Sequence, residues 1–118
     1  MPAINFMKQF AEKIKSGKKK QTIRPLRKDC RNPRPGQSLY LYTGLRTKGC
    51  RKIGEVICKN VEQFTIEENY EIFIGVRCLE LEEKYNLAKA DGFDSFRDFV
   101  DFFIKRYGLP FYGLIIKW

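Results

Sequence analysis

From Ser38 to Leu81 the chain alternates apolar and polar residues, and this period of two limits the fold more than any other feature. SLYLYTG sets Leu39 and Leu41 against Tyr40 and Tyr42, CRKIGEVICKNVEQFTI continues in the same style over residues 50 to 66, and YEIFIGVRCLEL repeats it over 70 to 81. Three strand stretches with no helical stretch between them cannot be βαβ units, which need a long crossover. A meander is expected. A shorter strand is read in KQTIR, with Ile23 inward and Thr22 and Arg24 on the other face, because Pro25 pushes Arg24 toward extended geometry. PFYGLIIKW is a closing strand tied into the sheet.

Helical spacing appears on either side of these strands. Phe6, Phe10 and Ile14 recur every four residues among Lys8, Glu12, Lys13 and Lys15, and Gly17 ends that helix. After Glu82 the period changes: Tyr85, Leu87 and Ala88 form one face, and Ala90-Asp91-Gly92 stops it. DSFRDFVDFFIKRYG then offers Asp94 or Ser95 as a cap, Phe96, Phe99, Val100, Phe103 and Tyr107 at helical spacing, and Gly108 as a stop. PLRKDCRNPRPG, with three prolines and four basic residues, reads as a loop. The expected class is α+β. Five or six antiparallel or mixed strands curl into a small barrel, which removes exposed edges, and two or three helices flank it.

A chain of 118 residues suits one domain spanning 1–118, and its ten Phe and six Tyr supply a core. The formal charge of +9 makes an attractive field for phosphates, so nucleic acid or a nucleotide is the favoured partner class. No apolar run is long enough to span a bilayer, and MPAINFMKQF lacks a signal peptide's pattern, so a cytoplasmic protein that does not use a membrane is expected. No protein partner is implied. Cys30, Cys50, Cys58 and Cys78 contain no C-x-x-C pair, and there is no histidine to complete a zinc site. Buried free thiols without metal or other cofactor are therefore expected. The lack of histidine leaves any catalysis to Lys, Asp, Glu, Thr, Tyr or Cys.

Two basic stretches are candidate nucleic-acid contacts. In SGKKKQTIRP, residues 16 to 25, Lys18, Lys20 and Arg24 surround Thr22, and Arg24 shares Thr22's face of the strand, where a guanidinium can pair with a phosphate or a base carbonyl. In YTGLRTKGCRK, residues 42 to 52, Thr43 ends a strand and Arg46, Lys48, Arg51 and Lys52 follow closely, beside the aromatic surfaces of Tyr40 and Tyr42. Basic and aromatic residues together favour single-stranded RNA. The alternative at both places is an ordinary solvated loop.

GKKKQTIR also matches the G-x-K-x-x-T-x-R signature of the ASCH domains, a branch of the PUA-like superfamily, and the resemblance extends over nearly the whole chain. INFMKQFAEKIKSG resembles that family's opening helix, GQSLYLYTG its second strand, ADGFDSFRDFVDFFIKRYG its acidic-Gly-Phe helix pair, and FYGLIIKW its closing strand. The resemblance implies a PUA-like barrel with a cleft for RNA or a modified nucleoside. Some ASCH proteins are amidohydrolases that remove the acetyl group of N4-acetylcytidine with a lysine, a threonine and a glutamate, and others are reported to cleave RNA. Carried over by position, the lysine falls on Lys19 and the threonine on Thr22, while the acidic residue nearest the glutamate's place is the shorter Asp91. A lysine acts as a base only when burial and like charge lower its pKa, and Lys18, Lys20 and Arg24 are the expected like charges. Because Lys19 and Thr22 have opposite parity along a strand, Lys19 must lie in the turn before pairing begins.

Overall fold

A computed structural model describes residues 3–26, 32–45 and 47–118. In chain order the elements are β1 Ala3–Phe6, α1 Lys8–Lys15, β2 Gln21–Pro25, β3 Ser38–Thr43, β4 Arg51–Ile57, β5 Asn60–Ile66, β6 Ile72–Ile74, β7 Arg77–Cys78, α2 Leu81–Ala90, α3 Phe96–Arg106 and β8 Phe111–Lys117. The fold is α+β. Among the described residues its strands form two sheets, ordered β1-β3-β4 and β2-β8-β5-β6-β7, whose ladders do not close into one ring.

The expected meander breaks in its middle. β3 and β4 pair as an antiparallel hairpin, but the stretch from 50 to 66 is two strands, and β5 pairs with β6 and β8 instead of β4. The turn at Cys58 and Lys59 makes the division. Cys58 N–H donates to Gln37 O at 2.8 Å, on the side of the first sheet, and Lys59 N–H donates to Lys117 O at 2.8 Å, on the side of the second. The stretch from 70 to 81, read as one strand, likewise divides into β6 and β7, so alternation marks extended stretches but is silent on where they divide and on their neighbours.

β1 is a further departure, since Phe6 was expected to open the first helix. Ile4 and Phe6 point inward from a strand paired parallel to β3, from Ala3 opposite Tyr40 to Phe6 opposite Thr43. Four residues are too few for a period, and the partner lies more than thirty positions away. The first helix therefore begins at Lys8 and buries Phe10 and Ile14 alone.

β8 is the wall between two apolar clusters, and its alternation serves both. Leu114 and Ile116 join Ile4, Phe6, Phe10, Leu39 and Leu41 on one side, whereas Phe111 and Ile115 join Phe64, Phe99 and Phe103 on the other. Phe93, in the turn between α2 and α3, packs against both. The third helix matches its expected pattern: Ser95 Oγ accepts from Asp98 N–H at 3.1 Å, and Phe99, Val100 and Phe103 are buried. On α2 the buried residues are Leu87 and Ala88, and Tyr85 stands half exposed. Of the thiols expected to be buried, only Cys58 is; Cys50 and Cys78 are exposed, and Cys30 lies outside the described residues. No described helix is long and apolar enough to cross a membrane.

Candidate functional site

The site is assembled where the turn after α1 meets the end of α2. Gly17, at φ +80°, reverses the chain after α1, and Lys19 N–H donates to Lys13 O at 2.9 Å before β2 begins at Gln21. Lys19 thus precedes strand pairing and is freed from strand parity, as the spacing required. Its side chain turns inward and is only 2% exposed. Nζ donates to the backbone O of Asp91 at 2.5 Å and to Asp91 Oδ1 at 3.1 Å.

Asp91 is the C-terminal cap of α2 and is 5% exposed. Gly92 follows at φ +98°, where an added Cβ would lie 2.9 Å from Phe10 Cδ1, so both the turn and the close packing call for glycine. Lys13 Nζ donates to Gly92 O at 2.7 Å. Two lysines therefore cover carbonyls at the helix end, where the macrodipole is negative and the last C=O groups lack helical partners. The aromatic rings of Phe10 and Phe6 complete the surroundings of Lys19 Nζ, with centroids at 5.0 and 5.9 Å.

Thr22, 4% exposed, faces the same cavity from β2. Its Oγ1 accepts a hydrogen bond from Arg24 Nε at 3.2 Å, which leaves the hydroxyl proton free to be donated elsewhere. Arg24 is held in turn by donation from Nη2 to the backbone O of Asn5, and its guanidinium carbon lies 4.8 Å from the Phe6 ring centroid. Lys19, Thr22, Arg24 and Asp91 together line a cavity of about 40 Å³, which is room for one or two waters. A second cavity of about 220 Å³ shares Asn5, Arg24 and Tyr107 with it, so the two are neighbours across these side chains.

Burial works against both charges of the pair. It lowers the Lys19 pKa, opposed by Asp91 and reinforced by Arg24 and Lys13, and it raises the Asp91 pKa, opposed by Lys19, Gln21 and Arg24. Each shift is toward the neutral form, and the attraction between the two groups opposes both. The like charges acting on Lys19 are Arg24 and Lys13, which corrects the expectation for Lys18 and Lys20: both are exposed and turned away. Gln21 is buried close enough to Asp91 to favour its charged form, although Gln21 Nε2 completes no hydrogen bond of normal geometry.

The second basic stretch reaches the site through one residue. Asn5 Oδ1 accepts from Leu45 N–H at 2.9 Å while Asn5 O accepts from Arg24, so the β3–β4 hairpin tip and the cavity share an anchor. Thr43 is buried at the end of β3, Arg51 is exposed opposite it on β4, and Lys48 is exposed in the connecting turn. None of the three lines either cavity. Arg46 lies outside the described residues. Asn5, Lys13 and Tyr107 were not singled out from sequence; only Asn5 left a signal, as the lone polar residue between Ile4 and Phe6.

The chain matches no protein-family model, no curated protein and no solved structure.

Proposed function

We propose that this is an ASCH-type, PUA-like domain whose two sheets correspond to the family's small barrel, and that its cavity hydrolyses the amide of an N-acylated nucleoside such as N4-acetylcytidine. The observation that carries the reading is the meeting of Lys19, Thr22 and Asp91 in one cavity, with burial pushing the amine and the carboxyl toward their neutral forms. A structural role for Lys19 as a helix-end cap explains neither the threonine hydroxyl beside it nor the guanidinium bonded to that hydroxyl.

The chemistry uses the neutral forms toward which both shifts tend. Neutral Lys19 takes the Thr22 hydroxyl proton as Oγ1 bonds to the acyl carbon and the C=O electron pair moves onto the acyl oxygen, to return as the C–N bond breaks; the Arg24 guanidinium, bonded to Oγ1, stabilises the charge on Oγ1 as its proton leaves. The C–N bond breaks as the Asp91 carboxylic acid protonates the leaving nitrogen, freeing the amino nucleoside. Water then adds to the acyl-Thr22 ester, loses its proton to the Asp91 carboxylate, and the carboxylic acid leaves as Lys19 returns the proton to Thr22 Oγ1. In this reading the smaller cavity beside Thr22 receives the acyl group and the larger cavity beyond Arg24 receives the base.

A second reading, binding of RNA or a modified nucleoside without turnover, is favoured by the anchoring of the basic hairpin to the cavity through Asn5. Thr43, Lys48 and Arg51, with Arg46 from the sequence, would then contact the strand. One experiment separates the readings: incubation with N4-acetylcytidine, following cytidine and acetate by chromatography. The hydrolase reading expects turnover that Lys19→Ala and Thr22→Val each lower by about 10²-fold or more. Absence of turnover on N-acylated nucleosides by the wild-type protein sinks it. Nucleoside binding that persists without turnover and is lost in Arg24→Gln supports the second reading.

A further inference from the structure

The three-lysine run is only partly used by the cavity, because Lys19 turns in while Lys18 and Lys20 turn out. Lys20 enters a different feature. Its stem lies over the Gly17 turn, where a Cβ on Gly17 would meet Lys20 Cε at 3.7 Å. There it borders a groove of about 460 Å³ whose other charged walls are Lys15 and Lys59 and whose apolar floor includes Ile57 and Trp118. Among the described residues no acidic side chain lines this groove, and none of its lining residues belongs to the cavity.

Its lysines are placed by backbone bonds between segments distant in sequence. Trp118 N–H donates to Lys20 O at 3.0 Å, and Lys59 N–H donates to Lys117 O at 2.8 Å, so β8 holds the turn after α1 and the β4–β5 turn on either side of the tryptophan. Lys15 and Ser16 also line the neighbouring surface groove, where Lys13 and Lys18 outnumber the one acidic residue, Glu12, so the surface stays predominantly basic along the end of α1. Among the described residues Lys15, Lys18, Lys20 and Lys59 make no ion pair. Ile57 stands 56% exposed in the groove.

Unpaired cations at the sides of an aromatic and aliphatic floor are the pattern that holds single-stranded nucleic acid: phosphates on the lysines, a base over the ring. We propose that this groove is a strand-binding surface for single-stranded RNA, separate from the cavity. The proposal stands independently of the amide chemistry. It fits RNA better than an acidic peptide, because three lysines around an aromatic floor offer phosphate contacts and stacking together.

Trp118 is the only tryptophan, so its emission reports on the groove directly. Addition of a twelve-nucleotide uridine oligomer to the full chain is expected to quench that emission saturably. Three phosphate contacts give a log-log salt slope near −2, at about 0.7 per contact for single strands. Lys20→Glu combined with Lys59→Glu is expected to weaken binding about tenfold or more, with the circular-dichroism spectrum of the wild type retained. A labelled oligomer used with Trp118→Phe checks the affinity without the intrinsic signal. Thr22→Val is expected to leave the quench intact, so a failed hydrolase reading and a failed groove are distinguishable. The proposal is overturned if the oligomer gives no quench at low salt. It is equally overturned if the double reversal binds as tightly as wild type, or if anionic phospholipid vesicles or an acidic peptide quench Trp118 where RNA does not.

Discussion

The Lys19–Asp91 pair makes a quantitative demand on stability. With 2% and 7% of their side chains exposed, both groups have left water almost completely, and removing one partner strands the other. Breaking a buried pair in this way costs about 3–5 kcal/mol, a substantial share of the roughly 6–18 kcal/mol expected for a domain of this length. Lys19→Met keeps the stem's volume and deletes the charge, so at neutral pH it should cost about 3 kcal/mol or more. Asp91→Asn should cost less, because Lys19 keeps the Asp91 backbone carbonyl as an acceptor and can shed its proton. The double variant should recover most of the loss, since a neutral pair of similar shape removes the ion desolvation.

The pH dependence has a definite sign. In Lys19→Met the cation that opposed the upward shift of Asp91 is gone, so the folded-state pKa rises further above its unfolded value. The folded state then binds more protons than the unfolded one between those two values. Stability is fully present below the unfolded pKa and is lost as pH rises through the folded one. Urea denaturation followed by Trp118 emission and circular dichroism should therefore find Lys19→Met closer to wild type at about pH 4 to 5 than at pH 7. A Lys19→Met loss below about 1 kcal/mol at both pH values, with no coupling in the cycle, would refute the reasoning, because the pair would then be solvated.

Two further changes test the supports of the site. Gly113→Ala on β8 places a Cβ against the Arg24 carbonyl oxygen and 2.9 Å from Phe111 Cζ, so it should lower stability by about 2 kcal/mol or more in urea titration; a neutral effect would mean that β2 and β8 are not so closely paired. Ser95→Ala removes the hydroxyl that caps α3 and should cost about 1 kcal/mol, with Ser95→Asp close to neutral; thermal melts check the order, and equal losses in both would show that the cap is idle.

Much of the architecture was legible because local pattern and tertiary demand agree. The α3 stripe of Phe99, Val100 and Phe103 between Ser95 and Gly108 is a helix by spacing, capping and termination at once. β3 is equally plain, since Leu39 and Leu41 are both fully buried and Tyr40 and Tyr42, which alternate with them, are not. Pairing was not legible. Whether β5 continues from β4 or crosses to β8 depends on where the backbone groups of Cys58 and Lys59 find partners, and those partners are Gln37 and Lys117.

The candidate site divides in the same way. Residue type and spacing alone determined that Lys19 precedes the strand and that Arg24 shares Thr22's face of it, because strand parity and the turn at Gly17 are local matters. Only the tertiary structure decided that Asp91, more than seventy positions away, would receive Lys19, that Lys18 and Lys20 would face solvent, and that Lys13 would join the charges around the site. The physical reason is desolvation. A charge run reads alike at every position in a sequence, and which of its members loses its water is settled by the rings of Phe6 and Phe10 and the end of α2, elements that meet only when the chain is folded.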